Sequence, residues 1–186
     1  MRTLLVLLSL VTCTVTYGLD APLSSPEKVV LDFYAAEAKF PSVTNIEHAK
    51  PFSVFLSRSL YRSIQYALAA DEAYLKENPT DKGFFGDGVA FVGSPDGYTS
   101  YAVKGVVPNG PHAARVAIQF SYLDQQKPKE WSFMWTNVLL LIKEADKWVI
   151  DDIEYQDGAR LSFHLKQAVE EVRKLIQNER PTTSVP

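Results

Sequence analysis

Lys147-Trp148-Val149-Ile150-Asp151-Asp152-Ile153 is the stretch on which the reading of the fold turns. Its β-branched and aromatic residues mark a strand running from Lys147 to Tyr155, and Asp157-Gly158 closes it with a turn signal. Three stretches of the same character precede it, roughly Tyr98 to Val107, His112 to Leu123 and Trp131 to Lys143. Only short links separate the four: Pro108-Asn109-Gly110-Pro111, Asp124 to Lys129 and Glu144-Ala145-Asp146. Parallel strands need crossovers of a dozen residues or more, so links this short predict an antiparallel meander.

Alternation assigns the faces. In the second strand Ala114, Val116, Ile118, Phe120 and Tyr122 point one way and Arg115, Gln119 and Ser121 the other, so one face is wet. The third strand carries Trp131, Phe133, Trp135, Leu139 and Leu141 on one face and Met134, Val138, Leu140 and Ile142 on the other. Its C-terminal half is therefore expected to be covered on both sides, by loops or by a second copy in a homodimer. In the fourth strand, regular geometry sends Asp151 and Asp152 to opposite faces and puts Asp152 on the side of Trp148 and Ile150.

Ahead of the strands the periodicity changes from two to three and four. Ser24-Ser25-Pro26-Glu27 reads as a helix start, with Ser24 and Glu27 spaced for a reciprocal capping box. Val29, Val30, Phe33, Ala36 and Phe40 follow as an apolar stripe interrupted by Glu37 and ended by Pro41. From Pro51 a short turn carries Phe52, Phe55 and Leu56, and Ser57 is placed to cap a longer helix lined by Leu60, Ile64, Ala67, Leu68 and Leu75 and ending near Asn78-Pro79. Asp71 falls on that apolar stripe, where it needs a partner. Residues 79 to 97, rich in Gly, Pro and Asp, form a long loop with the apolar piece Val89 to Val92 inside it. After the strands, Arg160 to Asn178 repeats Leu161, Leu165, Ala168, Val169, Val172, Leu175 and Ile176 at helical spacing.

At the N-terminus Arg2 is followed by a run free of charge up to Asp20, too short for the ~20 apolar residues of a membrane span and laid out like a signal peptide. Residues 1–21 are read as that signal, cut after Gly18 or Ala21, residues 22–178 as a single domain and residues 179–186 as a disordered tail. The mature chain is then extracytoplasmic, periplasmic or secreted, with no transmembrane helix. A second reading takes Leu10-Val11-Thr12-Cys13 as a lipoprotein site that acylates Cys13, the one cysteine of the chain. In either case no disulfide forms within the domain, and stability rests on its core. A net charge of −3 with no Lys/Arg block leaves no footprint for nucleic acid.

The order helix, longer helix, loop and meander, closed by a Trp-x-Ile-x-x-Ile strand, resembles the nuclear-transport-factor-2-like superfamily of cone-shaped α+β domains. Phe55-Leu56-Ser57 ahead of a helix and Ile153-x-Tyr155-x-x-Gly158 before Leu161 resemble exported bacterial members classed as domains of unknown function. The resemblance implies N-terminal helices packed on a strongly curved antiparallel sheet, with a pocket between them. The additional C-terminal helix departs from the simplest members. No reaction is implied, since the superfamily includes isomerases, dehydratases, carriers and interaction domains.

Chemistry is sparse. His48, His112 and His164 have no metal-ligand spacing, and no metal or cofactor is expected. Gly93-Ser94-Pro95-Asp96-Gly97 has its serine in the wrong place for a nucleophile elbow and reads as a hairpin turn, while Gly83 to Gly88 lacks the Lys-Ser/Thr of a phosphate loop. Asp152 and Asp71 remain as candidate general bases; the structural alternatives for Asp152 are a loop cap or a pair with Arg160. Phe33, Tyr34, Phe55, Tyr61, Trp131, Trp135 and Tyr155 are the candidate pocket lining. The reading that follows is an exported non-catalytic domain that binds a small apolar ligand or a protein, an immunity-type inhibitor among the latter. The alternatives are a lyase or isomerase using Asp152 with Tyr34 or Tyr61 as oxyanion donor, and a homodimeric structural module.

Overall fold

The structure is a computed structural model that describes residues 24–178 apart from 41, 95–96 and 124–131. The signal-peptide, Cys13 and tail readings, the link from Asp124 to Lys129, Trp131 and part of the Gly93 to Gly97 turn lie outside the described residues. Helix α1 spans Pro26–Glu37, α2 Ile46–Ala49 and α3 Arg58–Glu77, with a 3₁₀ turn at Lys50–Val54 between the last two. Strands β1 (Ser100–Pro108), β2 (Ala113–Leu123), β3 (Ser132–Glu144) and β4 (Lys147–Glu154) follow, and α4 (Leu161–Asn178) ends the fold. The sheet is an antiparallel meander in the order β1-β2-β3-β4, so the α+β class expected from the sequence is the class observed. Among the described residues no helix is long and apolar enough to cross a membrane.

Local chemistry explains the helix ends. The side chain of Ser57 accepts the amide of Leu60 at 3.1 Å and starts α3 as expected. At α1 the cap is Ser25 and not Ser24: Pro26 holds the residue before it extended, and Ser25 Oγ accepts the Lys28 amide at 3.2 Å. The helix stops at Glu37, so Phe40 lies beyond it and is 52% exposed rather than part of the stripe.

Inside the sheet's concave face Phe33 and Tyr34 of α1 meet Phe52, Phe91 and Phe120 in edge-on and tilted ring contacts with centroids 5.0 to 5.6 Å apart. Trp135 stacks on Phe120 at 5.3 Å and extends this aromatic plug towards the start of β3. Helices α3 and α4 pack on each other, with Leu161, Leu165 and Val169 joining the same core. Along β4, an otherwise open edge, Ile150 exchanges backbone hydrogen bonds of 2.8 Å with Phe55 and Ser57, which shields the edge.

The register corrects one face assignment. Leu141 pairs with Ile150 and Leu140 with Asp152, so Asp151 is an extra residue in a β-bulge. The bulge reverses the alternation: Ile150 and Ile153 both face the core, and Asp152 lies on the face opposite Ile150. In β3 the inward row Trp135, Asn137, Leu139 and Leu141 is buried. On the other face Val138, Leu140 and Ile142 are half-buried within this chain, in a row crossed by the Arg115–Glu154 ion pair at 2.9 Å.

Candidate ligand cleft

The aromatic plug fills the middle of the concave face and leaves an opening at one end. There the end of α1 (Glu37, Ala38), loop residues from Phe84 to Ser94 and from Gly97 to Thr99, the start of β3, the turn after β4 and α4 residues from Leu161 to Glu171 surround a solvent-open cleft of about 1740 Å³. Phe84, Phe133, Trp135, Tyr155 and Leu165 supply its apolar walls. The loop is anchored by side chains reaching its carbonyls: Tyr155 Oη donates to Ala90 O at 2.6 Å, Trp135 Nε1 to Val92 O at 3.0 Å and Tyr34 Oη to Phe91 O at 3.1 Å. Gly93 makes the close approach possible, because with φ +74° a Cβ there would stand 2.7 Å from the Tyr155 ring.

Of the expected lining, Trp135 and Tyr155 face the cleft. Phe33 and Tyr34 do not; they are fully buried in the plug. Phe55 is half-buried against Phe33 with centroids 6.1 Å apart, and Tyr61 is half-buried at the edge of the core on the third helix, so neither reaches the cleft. The sequence put Phe33 and Trp135 on apolar rows, and such a row does not distinguish core from cavity wall.

Neither candidate carboxylate lines the cleft. Asp71 is 3% exposed, and its two oxygens accept the amides of Phe84 and Phe85 at 2.8 and 3.1 Å, which ties the loop to α3. Asp152 is 7% exposed and holds the start of α4: Oδ1 accepts the amides of Ile153 and Ser162 at 2.9 and 3.1 Å, and Oδ2 accepts the Ser162 hydroxyl at 2.6 Å. A carboxylate at a helix N-terminus also complements the macrodipole. Arg160 pairs with Glu154 at 3.5 Å rather than with Asp152.

The polar groups that do line the cleft are others. Glu37, which looked like an interruption in the α1 stripe, is buried and accepts the hydroxyl of Tyr98 at 2.8 Å. Burial pushes its carboxyl above the ordinary range, opposed in part by that hydrogen bond. Tyr98 and Tyr155 are both pushed up, chiefly by burial, then by the Glu37 hydrogen bond for Tyr98 and by the Asp152 charge for Tyr155. Asn137, which breaks the inward row of β3 between Trp135 and Leu139, is 1% exposed. Its position was legible by parity from those two neighbours. His164 is exposed at the rim, its ring centroid 5.5 Å from that of Tyr155. Among the described residues no group of His, Cys, Asp or Glu is arranged to hold a metal ion.

No family model matches the chain. No curated protein matches it either. Among solved structures, the chain is similar to an NTF-2-like protein of unknown function from Shewanella oneidensis MR-1, with a TM-score of 0.34 and 18% identity over 68% of this chain and 94% of that one.

Proposed function

We propose that this is an exported binding domain whose cleft receives a small, largely apolar molecule. The observation that carries the reading is the cleft itself, an opening of about 1740 Å³ in which aromatic and aliphatic walls from Phe84, Phe133, Trp135, Tyr155 and Leu165 alternate with polar side chains such as Glu37, Asn137 and Asp157. Ligand sites combine apolar walls, which give affinity, with polar atoms, which fix orientation. Support for binding over catalysis comes from Asp71 and Asp152, whose oxygens are engaged by amides and a hydroxyl away from the cleft. A general base needs a free lone pair within reach of the substrate proton.

Titration with N-phenyl-1-naphthylamine, a neutral apolar fluorophore, tests the proposal. Saturable one-to-one binding is expected, weakened at least tenfold by Gln167→Trp, which fills the cleft from an exposed position on α4. A folded protein that does not bind the fluorophore saturably overturns it.

A further inference from the structure

Asn137 occupies a position where the rest of the row is apolar. Its Nδ2 donates to Val92 O at 2.7 Å, and the same carbonyl accepts Trp135 Nε1 at 3.0 Å. A carbonyl only accepts, so the amide nitrogen must face Val92 and Oδ1 must face away from it. Oδ1 is buried and accepts no hydrogen bond from the described residues. A buried acceptor without a donor costs folding free energy, and leucine, of similar size, would fit the row without that cost. Asn137 lines the cleft, and its orphaned oxygen, closed to solvent in the unliganded fold, is accounted for if a bound molecule displaces the wall beside it and supplies the donor.

The charges around it narrow the molecule. Among the described residues Glu37, Asp87, Asp157 and Glu171 line the cleft and no Lys or Arg does. Asp87 is bridged by Lys82 at 2.6 Å and Glu171 by Lys174 at 2.8 Å, both in exposed pairs. Glu37 and Asp157 have no Lys or Arg partner among the described residues; Asp157 accepts the Ala159 amide at 3.0 Å. The start of α4, a feature that would favour an anion, is already capped by Asp152. Opposite Glu37, the groups facing it are tyrosines.

Building on the binding reading, we infer that the cleft takes an apolar organic amine in its protonated form, with an N–H donated to Asn137 Oδ1, its body against Trp135 and Tyr155, and its charge matched by Glu37 and Asp157. A cation beside aromatic faces gains further attraction from the ring quadrupoles.

Calorimetric titration of the full chain at pH 7 with three indoles tests this: tryptamine, tryptophol and indole-3-propionate, which share a ring and end in an ammonium, a hydroxyl and a carboxylate. Tryptamine is expected to bind at least tenfold more tightly than indole-3-propionate, with tryptophol between them. Asn137→Leu is expected to weaken tryptamine at least tenfold while the melting temperature stays level or rises. If that variant does not fold, the double variant E37Q/D157N, which keeps both local hydrogen bonds, should collapse the ratio between tryptamine and indole-3-propionate. Equal affinities for tryptophol and tryptamine overturn the charged ligand, and tryptamine binding unchanged in a folded Asn137→Leu overturns the role of Oδ1. If none of the indoles binds while N-phenyl-1-naphthylamine does, the amine is wrong and the cleft reading stands. Failure of the fluorophore as well sinks both.

Discussion

Two regions of this domain bury polar side chains, and they treat them differently. Around the ends of α3 and α4, both oxygens of Asp71 and of Asp152 receive amide or hydroxyl donors. At the cleft, Glu37 is 6% exposed with a single tyrosine donor, and the Asn137 oxygen has none. Burial is alike in the two regions; satisfaction is not. Where donors reach both carboxylate oxygens, a buried acid is part of the scaffold. Where lone pairs are left over beside an opening, the fold retains a group that works against its own stability, and a ligand is the natural partner.

The comparison breaks most visibly at Asp71. Asp71→Ala leaves the Phe84 and Phe85 amides without their acceptor and should cost about 3 kcal/mol, read as a lower urea midpoint. Gly83→Ala should act in the same direction, since a Cβ at φ +71° would stand 2.8 Å from both Asp71 oxygens. A neutral result at either position would mean the loop is not anchored there.

Next in size is Asp152→Ala, expected to cost about 2 kcal/mol through loss of the α4 cap. Asp152→Asn should cost less than half of that, because an amide oxygen still accepts from Ser162. If Asn were as damaging as Ala to stability, the carboxylate's charge and not its hydrogen bonds would be the stabilising element; a general base would instead lose turnover with Asn while stability held.

The smallest effect is expected at the cleft and has the opposite sign. Because the folded protein raises the Glu37 carboxyl, ionising it is penalised in the native state. Stability from this group is complete below the ordinary carboxylate value and is lost as pH rises through the raised one. Glu37→Gln, which can still accept from Tyr98, should therefore raise the melting temperature at pH 7 and leave it unchanged near pH 4. A loss of stability at pH 7 would place Glu37 with the scaffold carboxylates and erase the contrast between the two regions.

Much of the architecture was legible because it depends on neighbours in the chain. Short links demanded antiparallel pairing, alternation in β2 identified the wet face, and Ser57 announced the start of α3. Asp71 was legible as a buried acid in need of a partner, since helical spacing alone puts it between Ile64 and Leu75. That the partners would be the amides of Phe84 and Phe85 was not, because those come from a loop whose path depends on packing.

The site shows the same division more sharply. Asp152 was read onto the Trp148 and Ile150 face because a strand alternates with period two, and the one-residue bulge at Asp151 reversed it. The sequence by itself determined the three longer helices, the meander and the inward rows of β2 and β3, all of which follow from local period and from turn chemistry. Tertiary structure alone decided which inward aromatics became the plug and which the wall, and which donors reached Glu37, Asp71, Asn137 and Asp152. Those outcomes depend on contacts between segments far apart in the chain, such as Asn137 with Val92 and Glu37 with Tyr98, and no local pattern encodes such distances.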